Sequence, residues 1–333
     1  MTESENASSL KPPRPRFRWR VVLASVVGIL VVAAVTNFAI SVPDRYRQWR
    51  HDRDNVTRQT WLKAHSVIAE PWASNPGPYS DALTTCADGS LYGLAVPNGG
   101  ILTRYMPGGT NSVRALAKGQ KPVPLVMGLG CNADGVLFTH NTYGSQLIRI
   151  PPGAPADFAW AEIGSRAYGG VAVSADGSVL IADAFHNRII KVSPTGVVQR
   201  TWVSVGARPV GIAIAPDQTV YVDHVGSAEI TRISASGVVT RNWATMQSSN
   251  PPGTPKVIGP DVCWGSSPHT SNIAVDLQGN VIVGTLCIWR FTPQGVASRW
   301  FLADPNGQLD FLTSLASAPD GSVYGSSAGL DGS

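Results

Sequence analysis

Residues Gly170–Asp183 read GVAVSADGSVLIAD. Val171 and Val173 fall on one side of an extended chain, Asp176-Gly177 turns it, and a second apolar run returns. An Asp-Gly pair supplies the backbone geometry that a tight hairpin needs. The unit recurs as ALTTCADGSLYG from Ala82, GLGCNADGVLFT from Gly128 and GIAIAPDQTVYVD from Gly211. It returns again as NIAVDLQGNVIVG from Asn272 and SLASAPDGSVYGS from Ser314. The turn positions Asp88, Asp134, Asp176, Asp217, Gln278 and Asp320 are spaced by 46, 42, 41, 61 and 42 residues.

The third and fourth copies continue as NRIIKVSPTGVVQRTWV and AEITRISASGVVTRNWA, adding a third strand, a turn at Gly196 or Gly237, and a fourth strand. Four strands at a period near 42 residues is the arithmetic of a propeller blade. A single blade cannot bury its two apolar faces, so the copies must stack around an axis. The expected fold is therefore all-β, a six-bladed β-propeller over residues 71–333. The 61-residue interval holds an insertion at 243–269, whose Pro, Gly and Ser content reads as loop. The last copy ends soon after its second strand, and residues 61–70 (WLKAHSVIAE) are expected to supply an outer strand there and close the ring. Trp202 and Trp243 recur at equivalent fourth-strand positions and are expected to pack between blades.

The run Val21–Val42 carries no charge over 22 residues, long enough for a transmembrane helix of about 33 Å. It is longer than a signal-peptide core and lacks a clean small-x-small cleavage site, so it reads as an uncleaved anchor. The chain thus divides into a basic tail (1–20), a transmembrane helix (21–42), a juxtamembrane linker (43–70) and the propeller. Residues 1–70 hold 11 of the 26 Lys and Arg and 6 of the 22 Asp and Glu. The propeller is left with 15 and 16, so the basic balance belongs to the segments flanking the membrane and no nucleic-acid footprint remains. Five cations precede the helix (Lys11, Arg14, Arg16, Arg18 and Arg20) and five arginines follow it (Arg45, Arg47, Arg50, Arg53 and Arg58), which leaves orientation to weaker arguments. Acids dilute the second group only, and four cysteines permit disulfides, so the propeller is expected outside the cytoplasmic membrane. A bridge between Cys263, in the insertion, and Cys287, after the next second strand, is the expected pairing.

In this topology the loops joining second to third strands share one face with those joining blade to blade, and that face is the expected ligand site. It would carry His140, Asn141, Asp183, His186, Asp223, His224 and, from the insertion, Trp264, His269 and Asn272. Imidazole and carboxylate together suit a divalent cation, calcium or zinc. The competing reading is that Asp183, Asn187 and Arg188 only shape their own loop. The turn aspartates read as structural, because no calcium-loop spacing surrounds them. Gly-x-Ser-x-Gly elbows and phosphate-binding glycine motifs are absent.

The stretch DAFHNRIIKVSPTG from Asp183, following GGVAVSADGSVLIA, resembles a blade of the NHL-repeat propellers. Their superfamily also holds gluconolactonase-like and strictosidine-synthase-like enzymes. The resemblance implies a six-bladed ring. For a lactonase-like enzyme it further implies an axial metal, for which Glu70, Asp223, Asn272 and Asp310 are the positions to test. Two functions follow as expectations. The first is an anchored propeller that binds a protein, peptide, glycan or small molecule on its loop face. The second is a metal-dependent hydrolase or lyase acting at the channel mouth.

Overall fold

A computed structural model describes residues 82–95, 101–106, 111–115, 128–246 apart from 143, 165 and 207, 273–284, 287–303 and 312–327, with 66–68 and parts of 52–60. The chain divides into two units, 1–57 and 58–333. The expected span at 21–42 lies outside the described residues. Among the described residues no helix is long and apolar enough to cross a membrane.

The second unit is a β-propeller. Its short first strand is β1 (Ser66–Ile68). The first blade is β2 (Ala82–Thr85), β3 (Leu91–Ala95), β4 (Ile101–Tyr105) and β5 (Asn111–Ala115). The second is β6 (Leu129–Cys131), β7 (Leu137–His140), β8 (Gln146–Ile150) and β9 (Asp157–Glu162). The third is β10 (Val171–Val173), β11 (Val179–Asp183), β12 (Arg188–Val192) and β13 (Val198–Ser204). The fourth is β14 (Pro209–Ile214), β15 (Val220–His224), β16 (Glu229–Ile233) and β17 (Val239–Thr245). The fifth is β18 (Ile273–Val275), β19 (Val281–Gly284), β20 (Cys287–Phe291) and β21 (Ala297–Ala303), and β22 (Leu312–Ser317) and β23 (Val323–Ser327) form a two-stranded sheet. Every blade is an antiparallel meander in chain order.

Each repeat folds through its turn. Asp176 accepts hydrogen bonds from the Ser178 amide at 2.8 Å and from the Ser174 hydroxyl at 2.5 Å, and these bonds draw its carboxyl down to about 2. Asp88, Asp217 and Asp320 accept the amide two residues on in the same way, at 2.9, 2.9 and 2.8 Å. In the fifth blade, where Gln278 replaces the aspartate, the acceptor is Asp276, which takes the Gln278 and Asn280 amides at 3.0 and 2.8 Å. In the second blade the Asn132 side chain takes this part, accepting the Asp134 and Val136 amides at 3.1 and 2.8 Å, whereas Asp88, Asp176, Asp217 and Asp320 are committed to their own backbone.

Alternation along the second strands then builds the core between blades. Val179 and Ile181 face the second blade and pack with Phe138 and Leu147, whereas Leu180 and Ala182 face the fourth blade and pack with Val220 and Val222. The outer strands contribute tryptophans: Trp160 lies 5.2 Å from the Phe138 ring and Trp243 lies 4.8 Å from Tyr221. Trp202 packs on the cluster between third and fourth blades, as its recurrence implied.

The first strands come so close that some positions admit only glycine. A Cβ on Gly128 would stand 2.3 Å from the Val171 amide nitrogen of the next blade. Gly128→Ala therefore has to push two backbones apart, and urea titration should find it less stable by about 2 kcal/mol.

The ring closes differently from expectation. Ser66–Ile68 does not extend β23. It pairs in parallel with the outer strand of the fifth blade, Ser66 opposite Phe301 and Ile68 opposite Ala303. β21 offers an outer edge, and the β-branched Val67 and Ile68 suit an added strand. The β22–β23 sheet fits between the fifth and first blades. Leu312 and Leu315 pack on Ala274, Ala316 packs on Leu83, Leu91 and Tyr105, and the Leu83 amide donates to the Ser314 hydroxyl at 2.9 Å.

The structure also joins two cysteines that the sequence reading left unpaired. Cys86 and Cys131, just after β2 and at the end of β6, form a disulfide with Cα atoms 5.3 Å apart. Cys287 is disulfide-bonded as well. Its expected partner, Cys263, lies outside the described residues.

Candidate functional site

The candidate residues cluster at one end of three second strands. His140 ends β7, Asp183 ends β11, and Asp223 and His224 end β15. Counting from the hairpin turns, His140 and Asp223 occupy one strand position and Asp183 and His224 the next, so the two pairs point to opposite faces of their sheets. Asp223 shares a face with Tyr221, against the fifth blade, and His224 shares the face of Val220 and Val222, against the third. Among the described residues no three His, Cys, Asp or Glu side chains come together as a metal site. Glu70, Trp264, His269, Asn272 and Asp310 lie outside the described residues.

His140 and Asp183 lie near enough for the carboxylate to act on the imidazole, while Asp223 and His224 turn away from one another. His140 is fully buried, and its Nε2 lies 2.8 Å from the Gly169 carbonyl of the third blade. Burial pulls its imidazole below the ordinary range, so it is neutral and Nε2–H donates. Asn141 follows it, half-buried, and its carbonyl accepts from the Gly144 amide at 3.0 Å. His224 is buried with Nε2 2.8 Å from the Thr231 hydroxyl. Asp223 is fully buried, wedged against Gly211 of its own blade and Ile273 of the next, and neither carboxyl oxygen has a hydrogen-bond partner. Desolvation raises its carboxyl to about 7, and the nearby Gly211 amide offsets this only in part.

Asp183 behaves otherwise. It is fully buried, yet its Oδ2 accepts from Arg188 Nε and from His186 Nδ1, both at 2.9 Å. The reading of Asp183, Asn187 and Arg188 as loop-shaping residues holds for this set, with Asn187 taking the positive φ (53°) that turns the chain. The same pairing has a second consequence, because His186 stays half-exposed while its ring is fixed from below.

Two features went unread in the sequence. Phe185, beside His186, is 57% exposed and meets the edge of Tyr168 with ring centroids 5.7 Å apart. The available signal was an aromatic residue inside the polar run Ala-Phe-His-Asn. The second feature is a cavity of about 730 Å³ at the opposite, hairpin-turn end of the axis. It is lined by Cys86, Cys131, Asn132, Asp176, Gln218 and Asp276 among others, and none of the candidate residues reaches it.

No protein-family model matches this sequence, and no curated protein matches it. The fold does have relatives. A gluconolactonase from Xanthomonas campestris superposes with a TM-score of 0.56 at 16% identity, over 75% of this chain and 83% of that one. Regucalcin from Agrobacterium tumefaciens, a calcium-binding protein, gives 0.52 at 15%, over 73% and 79%. Virginiamycin B lyase from Staphylococcus aureus gives 0.50 at 16%, over 75% and 77%. What these proteins share with the chain is architecture, that of an all-β propeller.

Proposed function

We propose that the chain is a membrane-anchored, extracytoplasmic recognition protein, whose propeller binds a ligand or partner on the face that carries the loops between second and third strands. The observation behind this reading is the Phe185–His186 pair, an exposed aromatic and a half-exposed imidazole held on the buried Asp183. Exposed aromatics on a rigid scaffold are the usual anchors of recognition surfaces. The Cys86–Cys131 disulfide and the bonded state of Cys287 support an oxidising compartment, hence an outside location with residues 21–42 as the anchor. The six turn repeats and the seat of β22–β23 between fifth and first blades support a six-bladed ring of the NHL kind.

A photo-crosslinking residue at position 185 of the full chain, in intact cells, should yield an adduct. The same residue at Val197, exposed on a turn at the other end of the third blade, should not. Equal labelling from both positions would reject a loop-face site. Thiol-free protein before reduction, with the propeller open to protease from outside, is the accompanying expectation for topology.

The hydrolase or lyase reading draws on one feature, the unpartnered carboxylate of Asp223. A divalent cation needs several such donors, and among the described residues Asp223 stands alone, so no chemistry is derived through a metal. Elemental analysis of the full chain decides this reading. One tightly held divalent ion, lost in Asp223→Ala, would establish it in place of simple recognition.

A further inference from the structure

The Phe185–His186 patch has a chemistry that can be read from its supports. Asp183 is buried and ion-paired with Arg188, so towards His186 it can only accept. In the neutral form of the imidazole the proton is therefore on Nδ1, which faces the carboxylate. Nε2 carries the lone pair, on a side chain that is 49% exposed, and it has no partner among the described residues. The loop thus presents a fixed hydrogen-bond acceptor next to an apolar ring.

The ring is fixed too. Phe185 leans on Tyr168, and the chain at Tyr168 is tied at two points. Its carbonyl accepts from the Ala184 amide at 3.3 Å, and the next carbonyl, that of Gly169, accepts from buried His140 of the second blade. A side chain at position 169 would strike the Ala182 and Val210 carbonyls, 2.7 and 2.9 Å from its Cβ, so the loop can follow this path only with glycine there. Two blades hold the patch rigid, which lowers the entropy lost when a ligand docks.

From this arrangement we propose that His186 and Phe185 form a binding site for a phenolic group: the ring packs on Phe185 and its hydroxyl donates to His186 Nε2. Aromatic packing favours a ring over an aliphatic chain. The lone pair favours a hydroxyl donor, because an ether in its place would leave two acceptors facing each other. The phenol can come from a peptide tyrosine or from a small molecule, and the chemistry at the site is the same. This inference rests on the loop-face reading above.

The test is saturation-transfer NMR on the full chain in nanodiscs with phenol, anisole and N-acetyltyrosinamide. Phenol should bind, and anisole, the same ring without a donor, about 5-fold more weakly. His186→Ala should bring phenol to the level of anisole and leave anisole unchanged, whereas Phe185→Ala should weaken both. Both positions are exposed, so neither variant threatens the fold. N-acetyltyrosinamide binding tighter than phenol assigns the site to peptide tyrosine, and weaker binding assigns it to small phenols. Equal affinity for phenol and anisole, or unchanged phenol binding in His186→Ala, overturns the proposal. If it is overturned while position 185 still crosslinks, only the ligand class is wrong. If the crosslink is also missing, the loop-face reading falls with it.

Discussion

Between pH 5 and pH 8 the full chain should lose about 3 kcal/mol of stability that the Asp223→Asn variant keeps. Asp223 is fully buried, neither of its oxygens finds a donor, and its carboxyl is raised from 3.8 to about 7. The sign follows from proton counting. Between the unfolded value and the folded one, the native state holds a proton that the unfolded state has released. Stability is therefore greatest at low pH, falls as pH rises through that window, and is flat above it. Burial is the main cause, only the backbone amides of Gly211 and of Asp223 itself oppose it, and no cation among the described residues acts on it. His224 next along the strand turns to the opposite face and bonds Thr231. Packing leaves no room for a rearrangement either, because a Cβ on Gly211 would stand 2.0 Å from the Asp223 oxygen. Denaturant titrations followed by tryptophan fluorescence at the two pH values give the comparison. Parallel behaviour of wild type and variant would show that Asp223 is solvated or paired in solution.

What the sequence made legible and what it hid divide along physical lines. The hairpin turns were readable because their chemistry is local: an aspartate accepting the amide two residues on, then a glycine, needs no information from elsewhere in the chain. The shared face of Val171 and Val173 was readable for the same reason, and both pack in the cluster between the second and third blades. The destination of Ser66–Ile68 was not readable. Three β-branched or small residues suit any open edge, and only the three-dimensional arrangement selects β21 over β23. His140, Asp183, Asp223 and His224 do end neighbouring second strands, as the repeat implies, but which of them share a seam depends on the period of two and on the neighbouring blade, so that His140 and Asp183 face one another while Asp223 and His224 turn apart. Phe185 was overlooked because exposure of a loop aromatic depends on what packs against it, and Tyr168 reaches it from a different blade connection.

Replacing Cys86 and Cys131 together by serine should cost about 4 kcal/mol, and the loss should match that seen on reducing the wild-type bridge, less any contribution from Cys287. The two residues are 45 apart, so the bridge closes a loop of that length and removes a corresponding share of disorder from the unfolded chain. That spacing is one residue short of the 46 between their turns at Asp88 and Asp134, so the cysteines occupy adjacent positions of successive first strands and turn to opposite faces of their own sheets, which lets them meet between the two blades. Their side chains sit with Leu94, Leu102, Leu129 and Ile148 in the apolar seam between first and second blades. Serine there adds a buried hydroxyl as well as opening the loop, so Cys86→Ala with Cys131→Ala separates the two effects and should recover about 1 kcal/mol. The seam matters because the first blade is held on its other side by the small contact of Leu83, Leu91 and Tyr105 with Ala316. With the bridge gone, hydrogen exchange in β2 and β3 should rise well before exchange in β11 and β15, which lie in the larger clusters between third, fourth and fifth blades. Uniform loosening across all blades would mean that the ring unfolds as one unit and that the bridge acts only through the unfolded state.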